Sequence, residues 1–244
     1  MTYCVGLRLD RGLVFMSDTR TNAGVDNISK YRKMFTWNAP GDRTIVIMTA
    51  GNLATTQAVV SVLQERTKAP EDRSPSILEV PSMFQAARLV GNTLREVIED
   101  SAPGTEPEAE SKFRATIILG GQIAGAEPRL FLIYPEGNFV EASAETPFFQ
   151  IGETKYGRPI LIRAYEPDMS FEAAVKLMMV SFDSTIKANL SVGLPLDLLL
   201  YETDQLDITS QRRIEDDDPY FNLISDNWGE ALKFAFGSLP DYKL

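Results

Sequence analysis

The opening of the chain alternates residue by residue. Tyr3, Val5, Leu7 and Leu9 stand against Thr2, Cys4, Gly6 and Arg8, and residues 13–18 resume the pattern after Asp10-Arg11-Gly12. A period of two belongs to pleated strands, whose successive side chains point to opposite faces, so the spacing predicts two strands joined by a tight turn. Read as a loop with glycine third, the turn sets Leu9 opposite Leu13, Cys4 opposite Asp18 and Thr2 opposite Arg20. In that register Thr2, Cys4, Asp18 and Arg20 share a face, and Asp18 is the diagonal neighbour of Thr2 at about 7–8 Å between α-carbons. A hydroxyl, a carboxylate and a guanidinium then converge beside the start of the chain, although an ordinary edge hairpin with its polar face in water has the same look.

The end position gives Thr2 its interest. Threonine is small enough to permit removal of Met1, which leaves a free α-amine next to the hydroxyl. Such an amine has a pKa of about 7.7–8.0, so part of it is neutral near pH 7 and can act as general base toward its own hydroxyl. The chain has no histidine and a single cysteine, Cys4. A Ser-His-Asp or Cys-His device, an HExxH metal site, a Cys/His zinc cluster and an internal disulfide are therefore excluded. For a hydrolase without a bound metal, an N-terminal nucleophile is among the few arrangements left, and it calls for no cofactor.

The rest of the chain reads as support. With 244 residues, 44% of them hydrophobic, it can bury a large core as one domain, residues 1–244, with a C-terminal helical extension over residues 217–244. The balance of 34 acidic against 24 basic residues, net −10, weighs against nucleic acid and anionic membranes as partners. No charged-then-apolar leader stands at the start and no apolar run approaches the ~18 residues that span a bilayer, so a cytoplasmic protein is expected.

Residues 22–32 read as a loop, 33–37 as a third strand and 38–42 as a turn. Residues 44–50 form a nearly continuous apolar run, the mark of a strand covered on both faces. Asn52 is a helix N-cap, with Leu53, Val59, Val60 and Leu63 on the buried stripe. Residues 67–81 read as a surface connection, and Met83, Ala86, Val90, Leu94 and Ile98 mark a long helix. Residues 104–111 are an acidic solvated loop rather than a metal site. Strands are expected at 115–119, 130–134, 139–142, 148–152, 196–201 and 205–214. Helices are expected from Thr154, interrupted by Pro159, from Ser170 through Lys187 with Ser181 on the apolar face, and in the aromatic-rich tail. Strands, a helical pair, strands and another helical pair make an α+β chain, a four-layer αββα sandwich of two antiparallel sheets.

Four segments carry a resemblance. Thr2-Tyr3-Cys4-Val5-Gly6, then Ser17-Asp18-Thr19-Arg20-Thr21-Asn22-Ala23-Gly24, then Lys33-Met34-Phe35, then Thr49-Ala50-Gly51-Asn52 follow the order and spacing of proteasome β-subunits. The stretch Ile151-Gly152-Glu153-Thr154-Lys155-Tyr156-Gly157 and the long C-terminal extension resemble the bacterial Anbu, or ancestral β-subunit, group. The resemblance implies the N-terminal nucleophile hydrolase fold and a threonine peptidase acting on peptides or unfolded protein. It assigns Thr2 as nucleophile, Lys33 as the cation that lowers the hydroxyl pKa, Asp18 as the carboxylate that keeps Lys33 charged, and the Gly51 backbone N–H as oxyanion donor. Arg20 stands beside this set on the predicted face.

Two departures from the family pattern accompany it. Asn189-Leu190-Ser191-Val192-Gly193 stands where β-subunits have an aspartate and a serine that position the amine, so Asn189 loses the charge and Ser191 is the nearest hydroxyl. Glu153 stands where they have a serine, and its carboxylate can hold the amine or raise its pKa. The resemblance also implies a homo-oligomer, a ring or an open spiral, and leaves an ATPase or unfoldase partner unspecified. An amidase or transferase of the same nucleophile type, or a catalytically quiet ring-forming scaffold, are the other readings of these residues.

Overall fold

The computed structural model describes residues 2–22, 28–68, 75–101 and 111–243. β1 (Tyr3–Leu9) and β2 (Gly12–Asp18) form the opening hairpin, β3 (Arg20–Asn22) and β4 (Ile28–Lys30) pair in a small second sheet, and β5 (Met34–Ala39) and β6 (Arg43–Gly51) lead to helices α1 (Leu53–Lys68) and α2 (Met83–Ser101). Strands β7 (Ala115–Ile123), β8 (Arg129–Ile133), β9 (Phe139–Glu141) and β10 (Phe148–Gly152) follow, then α3 (Arg158–Ala164), α4 (Phe171–Ala188), β11 (Leu196–Glu202), β12 (Ser210–Ile214) and α5 (Pro219–Gly237).

The strands assemble into two five-stranded antiparallel sheets, β10-β1-β2-β11-β12 and β5-β6-β7-β8-β9. Strand parity explains how they stack. Cys4, Leu13 and Phe15 of the first sheet face Val46, Met48, Ile118 and Leu130 of the second in one buried cluster. The opposite parity, Tyr3, Val5, Leu7, Val14 and Met16, packs on Ala174, Met178 and Phe182 of α4. Ile45, Ile47, Ile117 and Leu119 do the same against Val59 and Leu63 of α1 and Val90 and Leu94 of α2. The result is the αββα sandwich that the element order implied, with each sheet apolar on both faces. Among the described residues, no helix is long and apolar enough to cross a membrane.

The hairpin register differs from the predicted one by a single residue. Leu9 pairs with Gly12 and Cys4 with Ser17, so only Asp10 and Arg11 form the loop. Gly12 is needed for another reason than the turn: its φ is +151°, and a Cβ there would lie 2.0 Å from the carbonyl oxygen of Tyr201 on β11. Close sheet packing, rather than turn geometry, selects the glycine. Asp18 therefore has the parity of Tyr3 rather than of Cys4.

Other differences are local. Part of the loop expected at 22–32 is β4, and residues 23–27 lie outside the described residues. The connection expected on the surface at 67–81 buries Ile77 and Val80 in the cluster under α1 and α2, while 69–74 are not described. The helix expected from Thr154 starts at Arg158, with Pro159 in its first turn, where a missing N–H is harmless. The strand expected from Gln205 starts at Ser210, after a loop in which Asp204 and Leu206 have positive φ. Residues 104–110 of the acidic segment lie outside the described residues.

Gly12→Ala should lower stability by about 1–3 kcal/mol, since the new Cβ meets backbone that cannot swing aside. Chemical denaturation followed by circular dichroism measures this; an unchanged midpoint contradicts the packing described for β2 and β11.

Candidate active site

Thr2 sits just before β1 and is held from both sides. Its carbonyl accepts the Glu153 N–H at 2.6 Å, and the next N–H, that of Tyr3, donates to Asp18 Oδ1 at 2.9 Å. The approach of β10 requires Gly152, whose φ is +84° and whose Cβ, were there one, would stand 1.9 Å from the Thr2 carbonyl oxygen. Tyr3 anchors the other end of this short segment. Its hydroxyl lies 2.7 Å from Ser181 Oγ and accepts from Gln150 Nε2 at 2.6 Å, Ser181 in turn donates to the Gly157 carbonyl at 3.1 Å, and the ring packs on Phe182. Burial pushes the Tyr3 hydroxyl up to about 12, so it stays a neutral donor and acceptor.

Asp18 and Lys33 form a buried ion pair. Lys33 Nζ donates to Asp18 Oδ1 at 2.7 Å and to the Arg20 carbonyl at 2.5 Å, and the two residues Lys33 and Asp18 are 4% and 0% exposed. Burial raises the Asp18 carboxyl above its ordinary value, and the charge and hydrogen bond of Lys33 oppose that rise. Asp18 lies beside Thr2, but not through the shared strand face that the sequence suggested. It is the last residue of β2, and its carboxylate caps the Tyr3 N–H at the end of the ladder.

Thr2, Lys33 and Gly51 line one cleft of ≈ 480 Å³, together with Thr21, Arg32, Thr49, Leu53, Thr56 and Gly152 among others. Gly51 has φ +116°, with Arg114 and Ala115 backbone at 2.5 and 2.7 Å from where a Cβ would be, so it too is fixed by close backbone approach. Asn52 caps α1 as predicted, its Oδ1 accepting the Thr55 N–H at 3.0 Å. Another cleft, of ≈ 370 Å³ beside Arg8 and Asp10 at the opposite end of β1, contains none of these groups.

The supporting residues divide. The Arg20 side chain does not join the cleft: it donates to the Leu190 carbonyl at 3.2 Å and packs against Gly193, where a Cβ would come within 2.4 Å of the guanidinium carbon. Arg20 thus braces the 189–193 loop, and only its carbonyl reaches Lys33. Glu153 touches Thr2 through its backbone, while its carboxylate accepts from Asn189 Nδ2 at 3.0 Å and from the Lys155 N–H at 3.2 Å. Asn189 Oδ1 accepts the Ser191 N–H at 3.0 Å, so Glu153, Asn189 and Ser191 form one polar chain beside the terminus. Among the described residues, no group of His, Cys, Asp and Glu is placed to hold a metal.

Sequence reasoning missed the Tyr3–Gln150–Ser181 network. The signal was a serine on the apolar stripe of α4, since a buried hydroxyl needs a partner.

Comparison with known proteins agrees with this fold. The profile of the family described as "Proteasome subunit" matches residues 2–193. The "Proteasome subunit beta" of Haloquadratum walsbyi is 26% identical over 216 residues, covering 88% of this chain and 79% of that protein. The solved structure of Anbu (ancestral beta-subunit) from Yersinia bercovieri is 48% identical with a TM-score of 0.91, covering 99% of this chain and 100% of that one. Anbu from Hyphomicrobium sp. strain MC1 is 49% identical, TM-score 0.90, over 99% and 100%. The helical assembly of the Anbu complex from Pseudomonas aeruginosa is 45% identical, TM-score 0.90, over 99% and 98%.

Replacing Lys33 with methionine leaves the Asp18 charge buried without a counter-charge, which costs about 3–5 kcal/mol at pH 7. Without Lys33 the folded-state pKa of Asp18 rises further above the unfolded value. Its favourable contribution is then complete below the unfolded pKa and lost as pH rises through the folded one. Denaturant titrations of Lys33→Met against the unaltered chain should show a deficit that narrows as pH falls; a deficit independent of pH contradicts the pairing.

Proposed function

We propose that this chain, which belongs to the proteasome subunit family and within it to the Anbu group, is a threonine peptidase whose nucleophile is Thr2, freed by removal of Met1. The observation that carries the reading is the buried Lys33 ammonium, held 2.7 Å from Asp18 and lining the cleft that Thr2 and Gly51 also line. Burying a charge pair is costly, and this one sets its ammonium in the wall of the same cleft that Thr2 lines, beside any structural part it plays.

Thr2 Oγ attacks the scissile carbonyl carbon while its proton passes, directly or through a water, to the α-amine. Lys33 lowers the hydroxyl pKa by its charge, and Asp18 keeps it charged and oriented. The electron pair of the carbonyl moves onto oxygen, where the Gly51 N–H stabilises it. Collapse breaks the C–N bond, the leaving amine takes the proton from the α-ammonium, and an ester on Thr2 remains. Water then attacks the ester, releasing the acid and restoring the Thr2 hydroxyl. Glu153, with Asn189 and Ser191, orients the α-amine.

The whole chain acts in this reading as one cytoplasmic domain with α5 as its extension, assembled into a homo-oligomer. Support for the assembly comes from α5, where Phe234 and Phe236 are 81% and 80% exposed while Phe221 anchors the helix in the core. Exposed aromatics at a head-to-tail contact generate closed rings or open helices, according to whether the rotation closes.

Thr2→Ala should abolish peptide hydrolysis, a fall of at least about 10³-fold, with unchanged folding, while Thr2→Ser keeps measurable activity because hydroxyl and amine remain. Fluorogenic peptide assays decide this, and full activity in Thr2→Ala contradicts the assignment. Removing residues 220–244 should shift the particle to smaller species in sedimentation velocity. An intact chain that runs as a 27.1 kDa monomer contradicts the assembly.

A further inference from the structure

The wall of the Thr2 cleft carries two basic residues, and any selectivity they confer rests on that cleft being the peptide site. The two are not equivalent. Lys33 is neutralised by Asp18 at 2.7 Å. Arg32 is exposed, and among the described residues it has no ion pair or hydrogen bond. Its basic neighbours are engaged: Lys30 pairs with Asp216 at 3.4 Å, and Arg20 donates to the Leu190 carbonyl.

Nothing on the described wall offsets the guanidinium. Among the described residues no acidic side chain lines the cleft, and α1, which borders it with Leu53 and Thr56, has no acidic residue in its first turn. The remaining polar lining includes the hydroxyls of Thr21, Thr49 and Thr56, which donate as well as accept. A free positive charge in the cleft runs against the composition, since the chain as a whole carries −10. The volume, ≈ 480 Å³, suits a side chain with its flanking backbone.

We propose that the cleft selects peptides with a carboxylate side chain, glutamate or aspartate, beside the bond to be cut, and that Arg32 is the residue that reads it. The planar guanidinium fork matches a carboxylate bidentately. A lysine or arginine in the same place meets the guanidinium of Arg32, so discrimination arises from repulsion as well as attraction.

The test is a binding measurement on the assembled Thr2→Ala chain, which does not depend on catalysis. N-acetylated Ala-Ala-Glu, Ala-Ala-Gln, Ala-Ala-Leu and Ala-Ala-Lys amides compete with a fluorescein-labelled Ala-Ala-Glu peptide, followed by fluorescence polarisation. The glutamate peptide should bind roughly 3–10-fold tighter than its glutamine isostere at low salt, with the ratio shrinking as salt is added. Arg32→Met should erase the ratio, and Arg32→Glu should turn the preference toward the lysine peptide. Equal binding of the glutamate and glutamine peptides, no binding of either at millimolar concentration, or a glutamate preference that survives in Arg32→Met overturns the inference. A retained glutamate preference in a chain whose native Thr2 never reacts with an electrophile removes the peptidase reading alone and leaves the selectivity standing.

Discussion

The Asp18–Lys33 ion pair is the interaction on which the open end of the sandwich depends. Asp18 is the last residue of β2 in one sheet, and Lys33 immediately precedes β5 in the other, where its carbonyl accepts the Thr49 N–H. One buried contact therefore joins the two sheets where their ladders stop, and the same carboxylate oxygen fixes the Tyr3 amide next to Thr2. Charges so deeply buried are tolerated only when paired and hydrogen-bonded, which is why Lys33 also takes the Arg20 carbonyl. The position of Thr2, the placement of the Lys33 ammonium and the contact between the sheets are thus one coupled arrangement.

Around that pair, rigidity comes from backbone approaches that only glycine allows. Gly152 brings β10 against the Thr2 carbonyl, and Gly51 lets β6 turn beside Arg114 and Ala115 into α1. The Tyr3 hydroxyl, held between Gln150 and Ser181, ties the first residue of β1 to β10 and α4. The proposed role of Thr2 depends on such anchoring, since disorder there would forfeit the benefit of placing hydroxyl and cation together.

Much of this was legible in the residues, for reasons that differ by element. The runs at 44–50 and 148–152, and the stripe from Met83 to Ile98, declare strands and a helix because burial on both faces or on one stripe leaves a periodic mark. Asn52 announced its cap by its own chemistry. The hairpin register failed because Gly12 was read as a turn residue, whereas the contact that requires it comes from β11, far away in the chain. Ile77 and Val80 were hidden in a charged, proline-bearing stretch whose apolar residues are too few to show a period. In the site, Thr2 stands out by its place after Met1, whereas Lys33 and Gly51 are marked only by the resemblance to proteasome β-subunits; all three line one cleft. Arg20 could not be placed correctly, since strand parity says nothing about a side chain that turns back onto Leu190 and Gly193 after the strand has ended.

The central claim is that Thr2 is the terminal residue and the reacting one. The most direct measurement is mass-spectrometric peptide mapping of the native chain after reaction with a threonine-directed electrophile. The account predicts that the N-terminal peptide begins at Thr2, lacks Met1 and carries the adduct. An N-terminal peptide that retains Met1, or an adduct found only on another residue, contradicts it.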